Sequence, residues 1–204
     1  MSVVIGIVDN ECVVMASDSQ ITISGVKKTS KLKSNYKIWH PNEKKDILIG
    51  TAGDVREMNI AKYVDDLIDE LKYLKNEIDM KYISKDLIKK LLTALKEANV
   101  ISSKDNVLAM NNNYLVANQN KLYQISPNGA VIEIDKYTAI GSGGNEALAS
   151  LKNSVGKSAI ERIKLAMDAS SSNDIYVDYP LIISKTNTLD FSVIGGGGHI
   201  KTKQ

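Results

Sequence analysis

The chain has 204 residues, enough for one domain with a substantial core. Its 26 Lys+Arg nearly balance 24 Asp+Glu and no basic stripe with interleaved aromatics runs along it, which argues against a nucleic-acid partner; Lys27, Lys28, Lys31 and Lys33 read as a solvated loop. One cysteine, Cys12, excludes an internal disulfide, two histidines argue against a structural zinc site, and no apolar run approaches the ~20 residues that span a bilayer, so the reading expects no metal, no cofactor, no membrane partner and a cytoplasmic location.

Residues 3–8 and 12–16 form two apolar runs joined by Asp9, Asn10 and Glu11, the pattern of a hairpin. Neither run alternates apolar with polar, so both strands are expected to be covered on both faces, which puts Ser2 at the mouth of a central strand. A polar, Lys-rich stretch through Lys37 reads as loop, followed by Ile38 and Trp39. Residues 46–50 read as another buried strand, ending in a glycine-marked turn at 50–54. From Asp54 a long helix is predicted, because Ile60, Val64, Leu67, Ile68, Leu71 and Leu74 recur at helical spacing opposite Asp65, Asp66, Asp69 and Glu70. A second helix is predicted from Ser84 as N-cap, with Leu87, Ile88, Leu91, Leu92 and Leu95 on one face.

Short strands are predicted at 114–117, 121–125, 131–134 and 138–140, broken by turn sequences such as Pro127-Asn128-Gly129. The last runs into Gly141-Ser142-Gly143-Gly144 and two helices, at 145–154 and 158–170, the second opened by the capping box Ser158 and Glu161. Residues 181–184 and 191–194 read as a closing hairpin, and 195–204, with His199, as a flexible Gly-rich tail to a single domain over 1–194. Strands grouped with strands and helices with helices argue against a parallel βαβ fold. They fit an α+β fold, a four-layer α-β-β-α sandwich of two antiparallel sheets.

If Met1 is removed, Ser2 carries a hydroxyl and a free α-amine whose reference pKa of about 7.7–8.0 makes it a partly unprotonated base near neutral pH. Nucleophile and base then belong to one residue, as in the N-terminal threonine enzymes. A nearby cation would hold the hydroxyl pKa down, and backbone N–H groups at a glycine turn would stabilise an oxyanion.

The stretches "SVVIGIVDNECVVMASDSQIT", "YKIW", "ILIGTAGD", "AIGSGG" and "SAIERIKLAMDASSSNDIYVD" occur in this order and together resemble the proteasome β-subunit superfamily, including its HslV-like and Anbu-like members, over residues 2–184. These are N-terminal nucleophile (Ntn) hydrolases of α-β-β-α architecture. The resemblance implies a threonine-peptidase-like hydrolase that cuts peptide or unfolded protein substrates within a homo-oligomeric ring, often fed by an ATP-dependent unfoldase. It also implies roles for individual residues: Ser2 as nucleophile, Asp18 as the acid that holds the catalytic lysine, and Lys37 as that lysine, with Lys33 as the alternative. Gly50 corresponds to the oxyanion-hole glycine, Ser142 to the serine that bonds near the terminal amine, and Asp174 to the late aspartate.

Without the resemblance Asp18 reads as a turn cap, Lys37 as one of many solvated lysines and Ser142 as a helix cap. Two departures stand out: serine replaces the usual threonine, and Val177 stands where the family often has a serine three residues after its aspartate. Exposure of Ser2 is expected to rest on removal of Met1 alone. The alternative reading is a catalytically inactive assembly or scaffold protein of the same fold that retains Met1, and a third is an amide hydrolase of small substrates.

Overall fold

The computed structural model describes residues 2–23, 25–101, 103–104 and 107–195; Met1 and the tail residues 196–204, with His199, lie outside the described residues. β1 (Val3–Asp9) and β2 (Cys12–Ser17) form the hairpin predicted by the two apolar runs, with Ile5 opposite Ala16 and Ile7 opposite Val14. The stretch read as loop contains a second hairpin, β3 (Gln20–Ile23) paired with β4 (Val26–Thr29). Ile21, Ile23 and Val26 carry the strand signal there, diluted by Lys27 and Lys28. β5 (Ile38–Trp39) pairs with β6 (Ile47–Ala52), and α1 (Val55–Lys62) starts on Asp54, whose side chain accepts from the Glu57 N–H.

The single helix predicted from Asp54 to Leu74 is broken. The chain leaves α1 at Tyr63, turns through Asp66 at φ +52° and restarts as α2 (Glu70–Leu74), capped by Asp69. Tyr82 from the following helix makes the break possible: its hydroxyl accepts from the Asp69 N–H at 2.9 Å and donates to the Leu67 carbonyl at 2.9 Å. Backbone groups that a helix would have paired are thus satisfied from outside. Leu67 and Ile68 drop side by side into the core, while Leu71 and Leu74 of the predicted stripe are exposed. The next helix begins before Ser84, with Asp79 capping α3 (Met80–Tyr82), a π-helical segment (Ile83–Leu87) and then α4 (Ile88–Glu97). Ser84 bonds back to the Met80 carbonyl at 2.7 Å instead of capping.

β7 (Ser103–Lys104) and β8 (Val107–Leu108) form a minimal hairpin. β9 (Asn113–Asn118), β10 (Lys121–Ile125) and β11 (Val131–Ile134) then meander antiparallel. β12 (Tyr137–Gly141) leads into α5 (Gly144–Asn153) and α6 (Ala159–Asn173), the latter opened by the Ser158–Glu161 capping box. β13 (Leu181–Lys185) and β14 (Ser192–Ile194) close the chain as a hairpin.

Two five-stranded antiparallel sheets result, ordered β12-β1-β2-β13-β14 and β11-β10-β9-β6-β5. Successive strand side chains alternate faces, and both faces here are covered. Val3, Ile5 and Ile7 pack with Leu151, Ile163 and Met167 of the helix pair α5/α6. Val4, Met15 and Ile182 face the other way, onto Ile38, Leu48, Leu115 and Leu122 of the second sheet. The far side of that sheet packs Ile47, Ile49, Tyr114 and Val116 under Leu87, Leu91 and Leu95. This is the α-β-β-α sandwich, and it explains the unbroken apolar runs: each such side chain, once buried, contributes about 1.5–3 kcal/mol. None of the described helices is long and apolar enough to cross a membrane.

Candidate active site

Asp18 follows β2 at the sheet end where β1 begins, and its carboxylate joins three pieces of chain. Oδ1 accepts from the Val3 N–H at 3.0 Å and Oδ2 from the Gln20 N–H at 3.0 Å. The Lys37 ammonium lies 2.8 Å from Oδ1 and 2.7 Å from Oδ2, and also donates to the Gln20 carbonyl at 2.7 Å. Lys37 reaches this position because it enters β5, where its own carbonyl accepts from the Thr51 N–H at 3.0 Å. Ser2, Asp18 and Lys37 are 3%, 0% and 4% exposed. Burial pushes the Lys37 ammonium below its ordinary value, with Asp18 opposing, and raises the Asp18 carboxyl against Lys37 and the two N–H groups. Lys33, the alternative lysine, instead lies in an exposed 3-10 turn with its Nζ 5.4 Å over the Phe191 ring.

Ser2 precedes β1 and is held from the β12–α5 turn. Its backbone nitrogen donates to Ser142 Oγ at 3.1 Å, and its carbonyl accepts from the Gly143 N–H at 3.3 Å and from Ser142 Oγ at 3.4 Å. Gly141 permits the approach: it sits at φ +97°, and a Cβ there would lie 2.1 Å from the Ser2 carbonyl oxygen.

Two of the sequence-derived positions fall elsewhere. Gly50 is in mid-strand of β6, paired to Ile38 on one side and Leu115 on the other. A Cβ on it would meet Met15 Sδ at 2.7 Å and Val4 Cγ1 at 2.8 Å, so its smallness serves the close approach of the sheets. Gly53, between β6 and the Asp54 cap of α1, is among the residues that line the cleft. Asp174 caps the C-terminus of α6, where Oδ1 accepts from the Tyr176 N–H at 2.9 Å and its main chain bonds Ser170 and Val177. The cleft is lined by the next two residues, Ile175 and Tyr176, and not by Asp174.

A cleft of about 640 Å³ opens beside Ser2 and Lys37, walled by β3, by Thr51, Gly53 and Asp54, and by Met58, Asn112 and Tyr176. Gln20, Gly53 and Asn112 are the site residues sequence reasoning missed. Gly53 was legible as the glycine directly before a helix cap; nothing marks Asn112 out between Asn111 and Asn113. Chemically, the arrangement is a hydroxyl and its own main-chain nitrogen at the lip of a cleft, beside a buried ammonium and a glycine turn.

The family model described as Proteasome subunit matches residues 2–181. Among curated proteins, no sequence matches the chain. Solved structures of similar fold include BPH of Thiobacillus denitrificans in complex with epoxomicin, at 16% identity and TM-score 0.66 over 90% of this chain and 97% of that one. HslV of Trypanosoma brucei is 20% identical with TM-score 0.60, covering 90% of this chain and 98% of its own. Anbu of Yersinia bercovieri is 15% identical with TM-score 0.68, covering 96% and 88%. At these identities the likeness is one of fold.

Proposed function

The chain belongs to the proteasome subunit family, and on that premise we propose that it is an N-terminal nucleophile peptidase in which Ser2, freed by removal of Met1, attacks peptide bonds. The observation that carries this reading is that Ser2, bonded by Ser142, and Lys37, paired with Asp18, line one cleft. In acylation the Ser2 α-amine, oriented by Ser142, accepts the hydroxyl proton as Oγ bonds to the substrate carbonyl carbon. The carbonyl π pair moves to oxygen, where a backbone N–H of the glycine turn over residues 50–54 is the proposed donor. Collapse breaks the C–N bond, the amine passes its proton to the leaving nitrogen, and water later hydrolyses the ester by the same steps. Lys37 lowers the pKa of the hydroxyl through its charge. Burial opposes that charge and Asp18 restores it, which gives the ion pair its purpose at this position.

Unfolded chains or peptides are the proposed substrates, cut inside a homo-oligomeric ring that an ATP-dependent unfoldase feeds. Intact-mass analysis of the purified chain, with a fluorogenic peptide assay, tests the reading. The expected result is loss of Met1, hydrolysis inhibited by epoxomicin, and no hydrolysis by Ser2→Ala at an unchanged melting temperature. A chain that retains Met1 and hydrolyses nothing is the inactive scaffold instead, and hydrolysis surviving Ser2→Ala points to another nucleophile.

A further inference from the structure

From Ser19 to Asn42 the chain carries five lysines, Lys27, Lys28, Lys31, Lys33 and Lys37, and no Asp or Glu. Among the described residues only Lys37 of these has a carboxylate partner, Asp18. Lys27 and Lys28 belong to β4, which forms a separate two-stranded sheet with β3 at the wall of the cleft. That wall therefore bears positive charge that no carboxylate of the described residues neutralises.

The register of the hairpin turns one of these lysines into the cleft. Lys27 lies opposite Thr22 and Lys28 opposite Ile21. Cross-strand partners share a face, so the two lysines point to opposite faces, and of the two Lys27 lines the cleft. Ile21 and Thr22 also lie on opposite faces, yet both line the cleft, which places it along the edge of β3 that faces away from β4. An extended peptide beside that edge alternates its side chains in the same way. Those on one face meet Thr22 and Lys27, and those on the other meet Ile21 and Ile23. The other charged side chains of the lining are engaged: Lys37 by Asp18, and Asp54 by the start of α1, where its Oδ1 accepts from the Glu57 N–H at 2.9 Å. Ile23, Val55 and Ile175 add exposed apolar surface to the same cleft.

We propose that Lys27 is a specificity-determining residue, which selects unfolded segments that carry an acidic side chain among apolar ones by pairing with that carboxylate. The proposal rests on the peptidase reading above and names the substrate class of that site. Lys28, Lys31 and Lys33 add a field that draws acidic segments toward the cleft.

The test uses the full chain with Met1 removed and a series of apolar fluorogenic peptides in which one residue, placed in turn at each position flanking the scissile bond, is Glu, Gln or Lys. At one position kcat/KM is expected to be about fivefold higher for Glu than for Lys, the effect of one partly exposed ion pair. The ratio is expected to shrink as salt is raised, because exposed charges are screened. Lys27→Glu is expected to invert the ratio at that position, and Lys27→Gln, which carries the test if the reversal does not fold, to bring it close to one. Lys28→Glu, on the other face of the same strand, is expected to move it less. Damage to the hairpin lowers turnover of all the peptides together and leaves the ratio where it was, so the ratio separates recognition from structure. A parent that cleaves the Glu and Lys peptides alike, a ratio unmoved in the Lys27 variants, or a Lys28→Glu effect equal to that of Lys27→Glu overturns the proposal and leaves the peptidase reading standing. A parent chain with no Ser2-dependent turnover of any peptide overturns both.

Discussion

Both oxygens of Asp18 are shared between main-chain N–H groups and the Lys37 ammonium, so one carboxylate fixes the start of β1, the start of β3 and the lysine together. Removing Lys37 alone leaves a fully buried carboxylate without its cation, which destabilises a fold by about 3–5 kcal/mol. Lys37→Ala is therefore expected to lose both hydrolysis, by orders of magnitude, and stability, and the two losses must be separated. In the double variant Lys37→Met with Asp18→Asn no charge is stranded, so the melting temperature is expected to recover while peptide hydrolysis stays absent. Lys33→Ala, in an exposed turn, is expected to keep hydrolysis within about threefold. Thermal melts paired with the peptide assay check all three, and hydrolysis by the double variant would refute a role for Lys37.

At the level of the elements, β6 shows what a glycine in mid-strand does for packing. Gly50 is at the seam between the sheets, and a methyl there overlaps Met15 and Val4. Overpacking of this kind costs about 1–3 kcal/mol, so Gly50→Ala is expected to lower the melting temperature by roughly 2–10 °C. A melting temperature within 1 °C of the parent in calorimetry would mean that the seam has slack. The same strand shows what sequence can disclose. Apolar runs covered on both faces announce β1, β2 and β6, because a strand between two layers carries no polar side to disguise it. The cap at Ser158 is equally legible, being made within four consecutive residues. The helix predicted through Leu74 fails because its interruption is made by the Tyr82 hydroxyl, a partner distant in sequence. Ser2, Asp18, Lys37 and Ser142 meet where the resemblance brought them, whereas Gly50 lies in mid-strand of β6. Asn112 and Glu57 were illegible because their bonding joins α1 to β9 across the fold.

At the scale of the whole molecule, stability is one free energy, moved by every group whose pKa differs between folded and unfolded chains. His40 and Lys62 are two such groups, and they line one surface groove with Lys33, Glu43 and Phe191. Burial lowers His40 below 6.5, with Lys33 adding to the effect and hydrogen bonds to the carbonyls of Ile47 and Lys44 opposing it. Burial lowers Lys62 from 10.5 to about 8; its Nζ donates to the Ser34 carbonyl at 2.9 Å and sits 5.8 Å from the Trp39 ring. In both cases the unfolded chain binds a proton over a range where the folded chain has released it, so stability rises with pH across that range. For Lys62 the range is about 8 to 10.5, and for His40 it ends at 6.5. One proton sets a ceiling of about 1.4 kcal/mol per pH unit on each slope. Below pH 8 Lys62 is charged in both states and the folded chain bears its burial, so Lys62→Met is expected to be more stable than the parent at pH 7, by a margin that closes as pH climbs toward 10. His40→Gln is expected to flatten the loss of stability on acidification from pH 7 to 5 and to leave the alkaline limb alone. Urea midpoints measured at unit pH intervals check both, and curves of Lys62→Met and parent that stay parallel from pH 7 to 10 would show that the ammonium keeps its ordinary hydration in the fold.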